Sequence, residues 1–297
     1  MRLAAALRSI GIASLVLLFG IGCTPESSPG QEQAEQAIVN KGSDTMVNLA
    51  LAWAEAYQQV EPAISVSVTG GGSGTGIAAL INGTVDLANA SRQIKPEETE
   101  EARANGIEAE EIVVARDAIA VIVHRDNPVD HLTIDQLSAI YSGEVNRWTE
   151  VGGADRPIVR LSRETNSGTH VYFLEEVVRQ GENDDTTLFA PDTLLLPSSE
   201  GITAEIAYNQ NAIGYDGLGY VTREMKVVAV GQDPAGPFFL PSVETVNSGQ
   251  YAIARDLYMY SAGRPSPEAQ DYLAWILSPP GQALVASVGF VPLGATP

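Results

Sequence analysis

The 297-residue chain has one cysteine, Cys23, so no disulfide can form within it. Any folded region must rest on its core alone. Basic residues are scarce. Seventeen Lys and Arg face 37 Asp and Glu, for a formal net charge of −20. That balance excludes the basic face that nucleic-acid binding requires. It also excludes attraction of an anion by overall charge, so an anionic ligand would need local donors. The three histidines, His124, His131 and His170, show no metal-ligand spacing, and no metal or cofactor is expected. His170 reads as a partly exposed residue of a first helical turn. No internal repeat is present. Beyond residue 22, no uncharged apolar run approaches the roughly 20 residues that cross a bilayer.

What is present begins with a leader. Arg2 and Arg8 precede the short apolar run Gly11–Gly22, which fits a secretory signal rather than a spanning helix. Cys23 follows directly and reads as a lipidation site, although Gly20 stands where such signals usually carry Leu. A lipid there would hold the protein to a membrane surface without spanning it. Thr24–Ala37 is polar and rich in Pro, Ser and Gln, and reads as a tether. Loss of residues 1–22 would leave 15 basic against 37 acidic residues.

The remaining chain alternates strand-like and helix-like runs. Ile64–Thr69, Ile112–Ala115, Ala118–His124, Ile158–Ser162, Ile213–Tyr215 and Leu257–Tyr260 read as strands. Thr45–Gln59, Gly76–Asn82, Ile134–Tyr141, Thr169–Arg179, Glu200–Asn209 and Pro267–Leu277 read as helices. This alternation predicts an α/β fold built on βαβ units.

Three helix starts share one local design, a short run of Gly, Ser and Thr. They are Lys41-Gly42-Ser43-Asp44-Thr45-Met46, Gly70-Gly71-Gly72-Ser73-Gly74-Thr75-Gly76-Ile77 and Arg163-Glu164-Thr165-Asn166-Ser167-Gly168-Thr169. A helix start exposes unpaired N–H groups and partial positive charge, which suits an anion. Glycine admits close approach and hydroxyls add neutral donors. Each loop alone also fits ordinary N-capping; three together favour an oxyanion site. The second loop has no Walker lysine and is not a P-loop. Arg163 is the natural charged donor, able to grip two oxygens, or else a surface partner of Glu164. Ser91 and Arg92 end an apolar run that would place them at a lobe edge; Arg92 reads equally as a solvated loop residue.

The order and spacing of these motifs resemble the phosphate-binding proteins of Pst-type ABC transporters, over nearly all of residues 38–291. The likeness also rests on Asp86-Leu87-Ala88-Asn89-Ala90-Ser91-Arg92, Asn127-Pro128-Val129, Leu137 to Gly143, Ala212-Ile213-Gly214-Tyr215 and Ser278-Pro279-Pro280-Gly281-Gln282. The resemblance implies a two-lobed periplasmic-binding-protein fold of type II, with the ligand in a cleft between lobes. Lobe 1 would comprise 38–120 plus 240–297 and lobe 2 would comprise 121–239. It implies phosphate contacts from Thr45, the Met46 N–H, Ser73, Arg163, Ser167, Gly168 and Thr169; Ser43, Asp44, Gly74, Ser91, Arg92 and Glu164, in or beside the same loops, complete the expected site.

One departure matters. Better-known family members place an aspartate at the position of Ser91, where it accepts the proton of the anion. Asp44, then Glu164, are the candidates to replace it; Asp44 also fits a helix N-cap. The implied partners are inorganic phosphate, a transporter permease and, through the lipid, a membrane; the implied state is a monomer outside the cytoplasmic membrane. Another oxyanion, or a phosphate sensor without a transporter, remains open. A phosphoester hydrolase lacks support, since no base is tied by motif to Ser43, Ser73 or Ser167.

Overall fold

The computed structural model describes residues 36–182 and 184–294. The leader, Cys23 and most of the tether lie outside the described residues. In chain order the elements are β1 (Gln36–Gly42), α1 (Val47–Val60), β2 (Ile64–Thr69), α2 (Ser73–Ile81), β3 (Leu87–Ala90), α3 (Pro96–Ala104) and β4 (Ala109–His124). There follow β5 (His131–Thr133), α4 (Ile134–Ser142), β6 (Val159–Arg163), α5 (Gly168–Phe173), β7 (Leu194–Leu196), α6 (Ser199–Tyr208) and β8 (Ala212–Gly217). The last are β9 (Met225–Gly231), α7 (Val243–Asn247), β10 (Ala254–Ala262), α8 (Pro267–Ile276) and α9 (Pro279–Ser287).

The fold is mixed α/β. Strands run in the order β2-β1-β3-β10-β4-β8-β6-β7, with β9 pairing β4 and β5. β1 is parallel to β2 and β3, and β6 is parallel to β7 and β8. The pairs that join these two groups, through β10 and β4, are antiparallel. Gln36 and Ala37, expected in the tether, belong to β1 because they pair with Ile64 and Ser65 of β2.

β4 connects the two groups. Ala109–Ala118 pairs with β10, and Ile119–His124 pairs with β8 and β9. Strand residues alternate between faces. Val121 and Val123 accordingly pack with Leu137, Tyr141, Phe173 and Tyr215, while Ala120 and Ile122 pack with Ile202 and Ile206. Both faces are covered, which explains the unbroken apolar run. Toward its start, β4 packs Val114 and Ala115 with Met46, Trp53, Tyr272 and Phe290. The sequence predicted two strands here, split at Arg116-Asp117. They are one, because the buried Asp117 carboxylate takes Arg255 of β10 at 2.8 Å and needs no loop to reach solvent.

The helix expected at Thr169–Arg179 is α5 followed by one π-helical turn, Leu174–Val178. α3 escaped the periodicity because only Ala102 of it is buried. Glu98, whose carboxylate accepts from the Lys95 N–H at 2.8 Å, and the leading Pro96 were the available signals.

Candidate oxyanion site

The three loops expected to bind an anion come together. β1 ends at Gly42, whose φ of +148° lies outside the range of ordinary residues. A Cβ there would lie 2.1 Å from the Asn89 carbonyl. That close approach of β1 to β3 lets the Ser43 N–H reach Asn89 O at 2.8 Å. A short 3-10 turn, Asp44–Met46, then leads into α1. Thr45 and Met46 are buried, Met46 within the core that holds Leu49 and Trp53. The Met46 N–H is occupied by Ser43 O at 3.1 Å. Ser43 makes no side-chain cap bond, and its buried Oγ has no hydrogen-bond partner.

The second loop starts α2 at Ser73. The Gly74 N–H donates to Asn166 O of the third loop at 3.1 Å, and the Asn166 side chain donates to Gly71 O at 2.9 Å. In the third loop, Ser167 caps α5 by accepting from the Thr169 N–H. Here the capping reading is right for the serine hydroxyl.

The loops meet through hydroxyls. Thr45 Oγ1 and Thr169 Oγ1 lie 2.7 Å apart, although 124 residues separate them in sequence. Ser73 Oγ accepts from the Ser91 N–H at 3.0 Å and lies 3.3 Å from Ser91 Oγ. Gly168 faces both serines: a Cβ on it would lie 2.4 Å from Ser73 Oγ and 2.6 Å from Ser91 Oγ. Thr45, Ser73, Ser91, Gly168 and Thr169 therefore form one buried, neutral, hydroxyl-rich cluster.

Two buried arginines bear on it, one directly and one through Asp44 beside Thr45. Arg255, which the sequence reading missed, donates Nη1 to Ser91 O and Nη2 to Thr169 Oγ1, each at 2.8 Å. Asp117 holds it through Nε and Nη2. Burial pushes the Asp117 carboxyl up, against the pull of Arg255. Arg163 does not touch the cluster hydroxyls. Its Nη1 donates to Ser199 Oγ at 2.9 Å and its Nη2 to Pro197 O at 2.8 Å. The same Nη2 sits 3.1 Å from Asp44 Oδ2. Ser199 Oγ in turn donates to Asp216 Oδ1 at 2.9 Å. Burial lifts the Asp216 carboxyl to about 7, with Arg163 opposing.

Residues 26–280 match the family model of the PBP superfamily domain. The phosphate-binding protein PstS of Pseudomonas aeruginosa is 32% identical over 271 residues, covering 86% of this chain and 82% of that protein. The chain belongs to the family of these binding proteins. Protein SphX of Synechococcus elongatus is 33% identical over 282 residues, 90% of this chain and 81% of that one. Among solved structures, a substrate-binding protein from Clostridium perfringens with bound phosphate superposes with a TM-score of 0.77 at 30% identity, over 87% of this chain and all of that one. An ABC-type phosphate transport receptor from Vibrio cholerae gives 0.69 at 26% identity, over 86% of this chain and all of that one.

Within this family member, the remaining expected residues are placed as follows. Arg92 is buried but turned to Glu98, which it holds at 2.6 and 2.8 Å. Its Nε has no partner. Glu164 is exposed, which removes it from the cluster. Asp44 belongs to the Arg163 network, accepting also from the Ser199 N–H at 3.0 Å. His170, expected partly exposed, is buried, because its Nδ1 lies 2.9 Å from the Arg163 carbonyl. That oxygen can only accept, so Nδ1 carries the hydrogen. Burial holds His170 below the usual imidazole range. Arg255 and Asp117 had one sequence signal: each belongs to an Arg-Asp dipeptide, Arg116-Asp117 and Arg255-Asp256, at the edge of an apolar strand run.

Proposed function

We propose that the chain is an extracytoplasmic solute-binding protein that captures inorganic phosphate for ABC-transporter import. The observation that carries this reading is the meeting of Thr45, Ser73, Ser91 and Thr169 at Gly168, beside Arg255. Four hydroxyls, glycine backbone and a guanidinium suit a tetrahedral oxyanion. The acidic whole gives no long-range help, so recognition rests on these local donors. The named relatives and the phosphate-bound structure support phosphate as that anion.

The same reading divides the chain into two lobes joined by β4 and the segment entering β10. Thr45, Ser73 and Ser91 would belong to one lobe, Gly168 and Thr169 to the other. An anion gripped by both favours closure, which is the differential contact a hinge mechanism requires. The packing of Val246, Tyr251 and Ile253 with Val121 and Tyr215 supports a second crossing at Ile253–Ala254, later than the expected 240. A secretory leader and lipid on Cys23 remain part of the proposal on sequence grounds. A hydrolase finds no support at the cluster, since the buried His170 Nδ1 faces Ser162 and Arg163 O rather than a cluster hydroxyl.

Calorimetric titration of the mature chain with phosphate, followed by competition with sulfate, tests the reading. One phosphate bound per chain, with sulfate a weak competitor, is expected. Equal binding of sulfate would favour the broader oxyanion reading, for which Ser91 in place of an acid is the specific reason.

A further inference from the structure

Asp216 is a buried carboxyl on β8 that the hydroxyl cluster does not use. Its Oδ1 accepts from Ser199 Oγ at 2.9 Å and from the Gly217 N–H at 2.8 Å. Its Oδ2 is buried with no partner among the described residues. A carboxylate with one bare oxygen in the interior depends on nearby positive charge to remain ionised.

The groups around it do not supply enough. From β6, Arg163 makes no direct hydrogen bond to it but shares the Ser199 hydroxyl and opposes the rise of its carboxyl. The turn before α1 brings Asp44, which takes Arg163 for itself at 3.1 Å. From β4 comes Asp117, which takes Arg255 of β10. The phenols of Tyr215 and Tyr220 are both pushed up by burial and stay neutral, and Glu200 of α6 is exposed. Two guanidiniums therefore face three buried or half-buried carboxyls. A multiply charged oxyanion entering beside Thr45 and Thr169 adds negative charge to a site already over-supplied with it, in surroundings that screen poorly.

We propose that anion capture is coupled to uptake of one proton by the Asp216 carboxyl, which acts on the site through Ser199 and Arg163. The inference rests on the oxyanion reading of the cluster. The proton comes from solvent and goes to Oδ2, the bare oxygen. Asp44 and Asp117 are poorer acceptors, because Arg163 with the Ser199 N–H and Arg255 already hold them. Protonation leaves Arg163 balanced by Asp44 alone.

Burial already brings Asp216 to about 7 without an anion, so its free and ionised forms are both reachable near neutrality. A bound anion raises that value further. Between the free and bound values one proton enters per anion, and affinity falls about tenfold for each pH unit of rise through that window. Asp216 is thus a positioning residue that sets the pH range of capture.

The test is calorimetry with inorganic phosphate at about pH 8, just above the anion-free value. Buffers of different ionisation enthalpy read the protons exchanged. Phosphate itself titrates in this range, so Asp216→Asn serves as the reference. The expected result is about one more proton taken up per phosphate by the unaltered chain than by the variant, with a shallower fall in affinity with pH in the variant. Equal proton counts with phosphate bound by both would overturn the inference. Failure of the unaltered chain to bind phosphate would overturn the functional reading instead. If the variant does not fold, infrared difference spectra of the unaltered chain with carbon-13 aspartate decide. A protonated-carboxyl band that grows on adding phosphate supports the inference, and its absence overturns it.

Discussion

Arg255 and Arg163 are both nearly inaccessible, yet they are held in opposite ways. Arg255 has one fully buried carboxylate, Asp117, and two further acceptors in Ser91 O and Thr169 Oγ1. Its pair is balanced, and one of its donors already points at the cluster. Arg163 is shared by Asp44 and, through Ser199, by Asp216. Its other donors hold the carbonyls of Leu196 and Pro197. The first arginine serves the cluster directly, whereas the second ties loop, strand and helix together around it. Identical side chains thus take different work from the number of carboxylates they must satisfy.

Arg255→Ala should break the comparison most severely. It strands Asp117 without its counter-charge, and removing one partner of a buried pair costs about 3–5 kcal/mol. Denaturant unfolding should show that loss, and calorimetry should show anion binding reduced by at least about 100-fold, the weight of a charged hydrogen bond or two. Retained binding would mean that Arg255 only supports the fold.

Asp216→Asn should sharpen the other half. The folded carboxyl titrates near 7 against an ordinary value of 3.8. Its contribution to stability is therefore full below about pH 4 and lost as pH rises through about 7. Conversion of that displacement gives a penalty of about 4 kcal/mol at pH 8, an upper figure. Relative to the unaltered chain, the variant should be more stable at pH 8 than at pH 5. A pH profile of unfolding identical to that of the unaltered chain would contradict the charge account.

Arg163→Ala should uncouple the first loop from α6 and weaken binding, while destabilising less than loss of Arg255, because Asp44 is part-exposed and Asp216 can take a proton. Unfolding curves of the two alanine variants measured side by side give that ranking. Glu164→Gln should do least. Its side chain is exposed, and a change within about 0.5 kcal/mol is expected in stability, with no change in affinity.

Much of this arrangement was legible in the sequence. Helix starts at Ser43, Ser73 and Ser167 could be read from Gly and hydroxyl patterning, and the structure brings them together. Strands such as Ile64–Thr69 were legible because apolar alternation dominates them. The charge partners were not. Asp117 and Arg255 are 138 residues apart, and only the pairing of β4 with β10 sets them face to face. Asp216 follows Tyr215 in a strand whose six residues are all buried, so nothing local marks it as an acid without water. Arg163 illustrates the converse. Its position shortly before Ser167-Gly168-Thr169 suggested an anion ligand, but as the last residue of β6, paired with Leu196 of β7, it turns its guanidinium toward Leu196, Pro197 and Ser199 of the β7–α6 segment.

The central claim is that the hydroxyl cluster at Gly168 is where the oxyanion binds. Phosphate titration of the unaltered chain and of Gly168→Ala in parallel tests it most directly, because the added methyl would lie 2.4 and 2.6 Å from Ser73 Oγ and Ser91 Oγ. The account predicts one phosphate per unaltered chain and binding weakened beyond about 100-fold in the variant, the scale of losing two or more kcal/mol of donor contacts. Equal affinity in both chains, or no phosphate bound by either, would contradict it.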